Sequence, residues 1–193
     1  MIELKEPRVA NQDPPIIGRE DEEMLISDRL AKAMNEQIGR EFAASHQYVN
    51  IATYFDSDSL SELAAFFYRQ ADEERMHAMK FVHYVTDAGG KVAIPAVPAP
   101  RHELDSAETA AKLSLEWELE VTKQINNLMN IAIEEKDHIG QDFLRWFVTE
   151  QLEEVSTMNE LLAVIRRAGE EGLLFVEQFL ARRPDPHAAQ AEA

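Results

Sequence analysis

The sequence predicts an all-α protein: a bundle of four long helices, a long crossover between the second and third, and a short fifth helix near the C-terminus. Three observations carry this. Apolar residues recur at alternating three- and four-residue spacing through four separate stretches. Short polar breaks join the first stretch to the second and the third to the fourth, which makes each pair antiparallel neighbours. Between the pairs lies a proline-bearing segment with neither a helical nor a strand pattern.

In order, residues 1–26 hold Pro7, Pro14, Pro15, Gly18 and the acidic run Glu20-Asp21-Glu22-Glu23, the composition of a poorly ordered arm, with Met24 as an alternative start. The first helix, α1, is expected from the good N-cap pair Ser27-Asp28 to about Phe55, with Met34, Ile38, Glu41, Ser45, Tyr48, Ala52 and Phe55 on one face. Asp56-Ser57-Asp58-Ser59 should turn the chain and cap α2, which is expected to last until about Asp87. Residues 88–103 contain Gly89-Gly90, Pro95, Pro98 and Pro100. Extended, this segment reaches roughly 50 Å, more than the roughly 40 Å of a long helix, so it can run the full length of the bundle. The third helix, α3, should then lie parallel to α2, from around Leu104–Ser106 to about Glu135, with Ala107, Ala111, Ser114, Glu118, Val121, Ile125, Leu128 and Ala132 inward. After Lys136-Asp137-His138, α4 should reach about Arg167 on a face of Leu144, Phe147, Gln151, Glu154, Met158, Leu161 and Ile165, ending at the glycines 169 and 172. A short α5, about Leu173 to Arg182, closes the domain expected over 27–182, and 183–193 form an Ala-rich tail.

Composition narrows the function. In 193 residues, 45% hydrophobic and with seven glycines, there is material for a substantial core. No cysteine is present, so disulfides, iron–sulfur clusters and zinc ribbons are excluded, and any metal must be held by oxygen and imidazole. A net charge of −17 argues against nucleic acid as a partner and is compatible with attracting cations. No apolar run approaches membrane-spanning length and no signal peptide is evident, so a cytoplasmic location is expected.

The chemistry centres on Gln70-Ala71-Asp72-Glu73-Glu74-Arg75-Met76-His77 in α2. The apolar stripe Leu60, Leu63, Phe67, Phe81, Tyr84 continues through Gln70, Glu74 and His77, so a carboxylate and an imidazole one turn apart share a core-facing stripe. Buried Glu is rare unless paired or coordinating a metal. The other helices interrupt their stripes in the same way. Glu41 precedes Glu74 by 33 residues and His77 by 36, and Glu118 precedes Gln151 and Glu154 by the same intervals, a twofold pseudo-repeat. The acids lie about sixteen residues from their turns, hence at one height in the bundle. Inward carboxylates at one level repel and lose solvation, and cations remove both penalties. Mostly oxygen donors with one histidine suit iron or manganese in a two-metal site. The competing account is protonated acids linked around buried water. Glu73, Glu150 and Glu153 flank the first group and could form a third, weaker metal position, Tyr48 lies within reach of the metals, and Trp146 is read as packing.

These residues resemble the ferritin family, specifically the haem-free ferritins of bacteria. The resemblance covers about residues 27 to 182 and rests on Glu41 with Tyr48, Glu73-Glu74-Arg75-Met76-His77, Glu118 before Val121-Thr122, and Trp146 through Glu150-Gln151-Leu152-Glu153-Glu154. It implies that Glu41, Glu74 and His77 hold a first iron, that Glu74, Glu118 and Glu154 hold a second with Gln151 nearby, and that Glu73, Glu150, Glu153 and Glu154 form a third site. It implies a ferroxidase acting on Fe(II) and O2, and storage in a homo-oligomeric 24-subunit cage with α5 at the fourfold contacts. Phe66, Phe143 and Leu162 are then expected to face neighbouring subunits. Haem is not expected, because bacterioferritins have a methionine after the α2 ligand Glu and a second Glu-x-x-His on α4, where this chain has Arg75 and the pair Gln151 and Glu154. A soluble diiron or dimanganese oxidase or peroxidase without storage, and a non-catalytic helical module, are the alternatives.

Overall fold

The computed structural model describes residues 24–183, and the expectations for the arm before Met24 and the tail after Arg183 lie outside them. The described residues form α1 (Asp28–Ser57), α2 (Ser61–Asp87), α3 (Ala107–Glu134), α4 (His138–Ala168), a 3₁₀ turn (Glu170–Gly172) and α5 (Leu173–Ala181). Every residue named above for the inward stripes is buried except Tyr84, which is half-buried. Among the described residues no helix is long and apolar enough to cross a membrane.

The pseudo-repeat extends to the backbone. Ser59 and Lys136, 77 positions apart, are the two non-glycine residues with positive φ among the described residues, at 62° and 57°. Each closes its turn in the same way: the Leu60 N–H donates to Phe55 O at 3.0 Å, and the Asp137 N–H to Ala132 O at 2.9 Å. The shared turn geometry makes α1–α2 and α3–α4 equivalent hairpins and brings the equivalent positions of both to one height.

The crossover runs alongside α1 and is bound to it by side-chain amides that act as peptide surrogates. Asn35 donates to Lys91 O at 2.9 Å and accepts from the Ala93 N–H at 2.8 Å. Further along, Gln47 donates to Arg101 O at 3.1 Å and accepts from the Arg101 N–H at 2.7 Å, with Asn50 on the same carbonyl. Between these clasps Gly39 lets the crossover touch the helix, since a Cβ there would lie 2.4 Å from Pro95 Cγ. The chain therefore arrives at the far end of α1, and α3 runs parallel to α2 as the loop length required.

Two sequence expectations fail, chiefly because α5 folds back on the bundle. Phe66 and Leu162 do not face outward; at 8% and 4% exposure they join the core that holds Val176 and Leu180 of α5. Phe143 is likewise engaged within the chain, stacked on Tyr84 and packed edge-on against Phe81 and Phe147. The large apolar side chains left open are instead Leu152, Phe175, Leu174, Leu25, Ile139, Ile94 and Ile133, each more than half exposed. Nor does the Asp56–Ser59 turn cap α2. Its N-cap, Leu60, offers no side-chain acceptor, and the carboxylate of Glu177 in α5 takes the N–H groups of Glu62 and Leu63 at 2.9 and 2.8 Å. Orphan N–H groups at a helix start need an acceptor, but it can come from anywhere in the chain.

Buried side chains of the interior divide into two apolar clusters with no buried residue in common, and the half-buried Trp117 packs against both. One is centred on Tyr48, Phe55, Phe67, Met158 and Leu161, the other on Met34, Ile38, Phe81, Ile125 and Phe147. Between them lies a layer of buried polar groups drawn from all four long helices.

Candidate metal centre

The layer is built from one turn of each helix. Glu41, Glu74, His77, Glu118 and Glu154 are each 0–1% exposed, and Gln37 and Gln151 sit among them. Oxygen and nitrogen atoms of Glu41, Glu74 and His77 lie within 4.8 Å of one another, and so do atoms of His77, Glu150 and Glu154. The His77 ring stands between the two groups. Its Nδ1 is 3.7 Å from Glu74 Oε2 and its Nε2 is 3.9 Å from Glu150 Oε1. Trp146 and Phe147 meet the ring edge-on, at centroid distances of 5.4 and 5.8 Å, and Lys80 Nζ lies 4.2 Å over Trp146 from the other side. Trp146 thus packs the histidine.

Glu118 belongs to neither group of three, but Tyr48 reaches across the bundle and donates its hydroxyl to Glu118 Oε1. Gln151 accepts from the Thr122 hydroxyl at 2.8 Å and is near enough to Glu118 to lower its pKa. Of the four residues read as a third site, Glu150 and Glu154 converge with His77. Glu73 accepts from the Gln70 amide and Glu153 from the Thr157 hydroxyl at 2.9 Å, although both lie close enough to Glu154 to raise its pKa.

Electrostatics mark the layer as unsatisfied in its own right. Burial pushes Glu74 and Glu154 well above the ordinary carboxylate range, and the charge of Glu118 adds to both. Burial also raises Glu41, and raises Glu118 to about 7. Tyr48 is pushed up by burial and by the same acids, so its phenol keeps its proton. Five carboxylate oxygens (Glu41 Oε2, Glu74 Oε2, Glu118 Oε2 and both of Glu154) are buried with no hydrogen-bond partner. Native interiors leave only a few buried polar atoms unpaired per hundred residues, and here five carboxylate oxygens are gathered in one layer. A divalent cation is the chemistry that these donors fit: hard oxygens, one imidazole and local negative charge.

Two supporting residues, Gln37 and Thr157, are not marked by the sequence motifs, while Gln70 and Thr122 are named there without a supporting role. Gln37 donates to Glu41 Oε1 at 2.8 Å, and Gln70, Thr122 and Thr157 anchor Glu73, Gln151 and Glu153. Gln37 carries a signal, because it precedes Glu41 by four and so shares its face. Thr157 lies off the apolar stripe of α4, and nothing local marks it.

Four long helices that direct carboxylates and one imidazole to a common level define the class of four-helix-bundle proteins with a carboxylate-rich two-metal centre. The ferritin-like domain family matches residues 31–168. A protein named ferritin BfrB from Mycobacterium tuberculosis is 44% identical over 164 residues, 81% of this chain and 90% of its own length. A bacterial non-heme ferritin from Staphylococcus aureus is 37% identical over 147 residues, 76% of this chain and 89% of its own. Among solved structures, an open-pore ferritin from the hyperthermophilic archaeon Archaeoglobus fulgidus superposes with a TM-score of 0.79 at 37% identity, over 83% of this chain and 99% of that one. The chain belongs to the ferritin family.

Proposed function

We propose that this chain oxidises Fe(II) with O2 in the polar layer of its bundle and stores the ferric product inside a hollow 24-subunit cage in the cytoplasm. As a ferritin it is an iron-storage protein with ferroxidase activity, and what is proposed is where and how. Glu41, Glu74 and His77 take the first Fe(II); Glu74, Glu118 and Glu154 take the second, so that Glu74 bridges them. The observation that carries this assignment is the five buried carboxylate oxygens without a hydrogen bond, distributed over Glu41, Glu74, Glu118 and Glu154.

Iron is the substrate. Each of two Fe(II) ions gives one electron to O2, which with two protons leaves as hydrogen peroxide while both ions become Fe(III). The chain's own groups prepare this. Glu74, Glu118 and Glu154 release protons as the cations arrive, because their pKa values lie above the ordinary range. Their negative charge then favours Fe(III) over Fe(II). Tyr48 holds Glu118 by one oxygen and leaves the other open. Gln151, fixed by Thr122, is near enough to lower the pKa of the same carboxylate without adding charge. Haem has no part in this reading, since Arg75 follows Glu74.

Size measurement after aerobic iron loading tests the storage half. The expected particle is about half a megadalton for 24 copies of a 22.0 kDa chain, with iron eluting in far more than two ions per subunit. A small particle holding about two metals per chain would instead identify a diiron oxidase without storage. Ferric ions must also leave, and Glu73, Glu150 and Glu153, with Glu154 shared, are proposed as the transfer position. Changing Glu150 and Glu153 together to alanine is expected to spare the first turnover in stopped-flow oxidation and slow later ones several-fold. Equal slowing of both phases would count against a separate third position.

A further inference from the structure

The two halves of the layer are equivalent by sequence, but the residues behind their carboxylates are not. Glu41 and Glu118 occupy corresponding positions in the pseudo-repeat. Four residues before Glu41 stands Gln37, fully buried, with its Nε2 2.8 Å from Glu41 Oε1. Four residues before Glu118 stands Ser114, also fully buried, whose hydroxyl turns back to Ala110 O at 3.0 Å. Glu118 relies instead on Tyr48 from another helix.

We propose that Gln37, oriented by Arg40, is a positioning residue that gives the first iron position its affinity by presenting Glu41 through a single oxygen. This rests on the assignment of Glu41 to the first iron made above. The geometry is specific. Gln37 occupies Oε1 of Glu41, and Oε2 is the buried oxygen left with no hydrogen bond, so it alone is free to meet a cation. An amide could flip and present its oxygen to the carboxylate, which would repel it. Arg40 forbids the flip, because its Nη1 donates to Gln37 Oε1 at 3.3 Å and the reversed amide would set N–H groups against the guanidinium. Arg40 is itself half-exposed and close to Glu36 Oε2, at 3.8 Å, so the chain of contacts runs from the surface to the ligand. Partners behind ligands of this kind carry about ten- to a hundredfold in metal affinity.

The test is an anaerobic Co(II) titration of the metal-free full-length protein, followed by visible absorbance and by bound metal per subunit. Wild type should bind Co(II) at two distinguishable positions in the bundle. Gln37→Leu, which keeps the side-chain bulk, is expected to weaken the first position about tenfold or more and leave the second within a factor of two. Arg40→Met should weaken the first position by a smaller factor. Gln37→Met serves if the leucine variant does not assemble. Unchanged affinities in the Gln37 variant, or equal weakening at both positions as a general packing defect would give, overturn the proposal. A wild type that binds Co(II) no differently from His77→Ala would sink the underlying site assignment instead.

Discussion

Replacing Glu74 or His77 with alanine is expected to remove the fast phase of Fe(II) oxidation, lowering the initial rate by about two orders of magnitude or more, while the protein still assembles. Glu74 is the most exposed to test because both iron positions depend on it. Its Oε2 lies 3.7 Å from His77 Nδ1, and beyond the effect of burial Glu118, Glu41 and Glu154 are near enough to raise its pKa. Loss of a partner behind a ligand already costs about ten- to a hundredfold, and loss of a bridging ligand removes both ions from register. Folding should survive, since the deleted carboxylate is one that its neighbours repel, and the cavity left is partly offset by that relief. Stopped-flow oxidation under excess O2 reads the effect, with size exclusion as the control for assembly. Initial rates equal to wild type in both variants would remove the two-iron assignment.

The metal-free protein should lose stability as pH rises from about 5 to 8, opposite to the trend of salt-bridged carboxylates. Glu118 titrates near 4.5 when unfolded and at about 7 when folded, so between those values the native state binds the extra proton. Stability falls with pH wherever the native state holds more protons than the unfolded one. This site's contribution is therefore complete below about pH 4.5 and is lost as pH climbs through 7. For Glu118 alone the rise corresponds to about 3 kcal/mol per subunit. Glu74 and Glu154 are raised as well and carry the loss to higher pH. Bound divalent metal should abolish the slope, because the cation then does what the protons did, and its binding should release protons. Thermal unfolding across this range, with and without Zn(II), measures it. Glu154→Gln should flatten the metal-free curve. A metal-free melting temperature that rises steadily from pH 5 to 8 would show these acids to be solvated.

The two expectations differ in what each could learn from the chain alone. That Glu74 is central follows from its place in a stripe otherwise made of Leu63, Phe67 and Phe81, which periodicity reveals without coordinates. That Glu118 accepts from Tyr48, which lies 70 positions earlier and two turns past Glu41, needs the fold. So does the position of Glu150 against His77, since the resemblance had grouped Glu150 with Glu73, Glu153 and Glu154.

Helix number, length and register, the crossover's reach and the level of the acids were all legible, because each depends on residue spacing along one helix or across one short turn. Phe66, Leu162 and the cap of α2 were misjudged for the opposite reason. Their partners are on α5, a separate helix that follows α2 by more than eighty residues and α4 by a short turn, and burial or a hydrogen bond is satisfied by whichever group tertiary packing brings near. The same holds behind the metal centre. Spacing alone decided that carboxylates meet in a dry layer, whereas the fold decided which oxygen of each is held, by Gln37 on one side and Tyr48 on the other, and hence which is left for a cation.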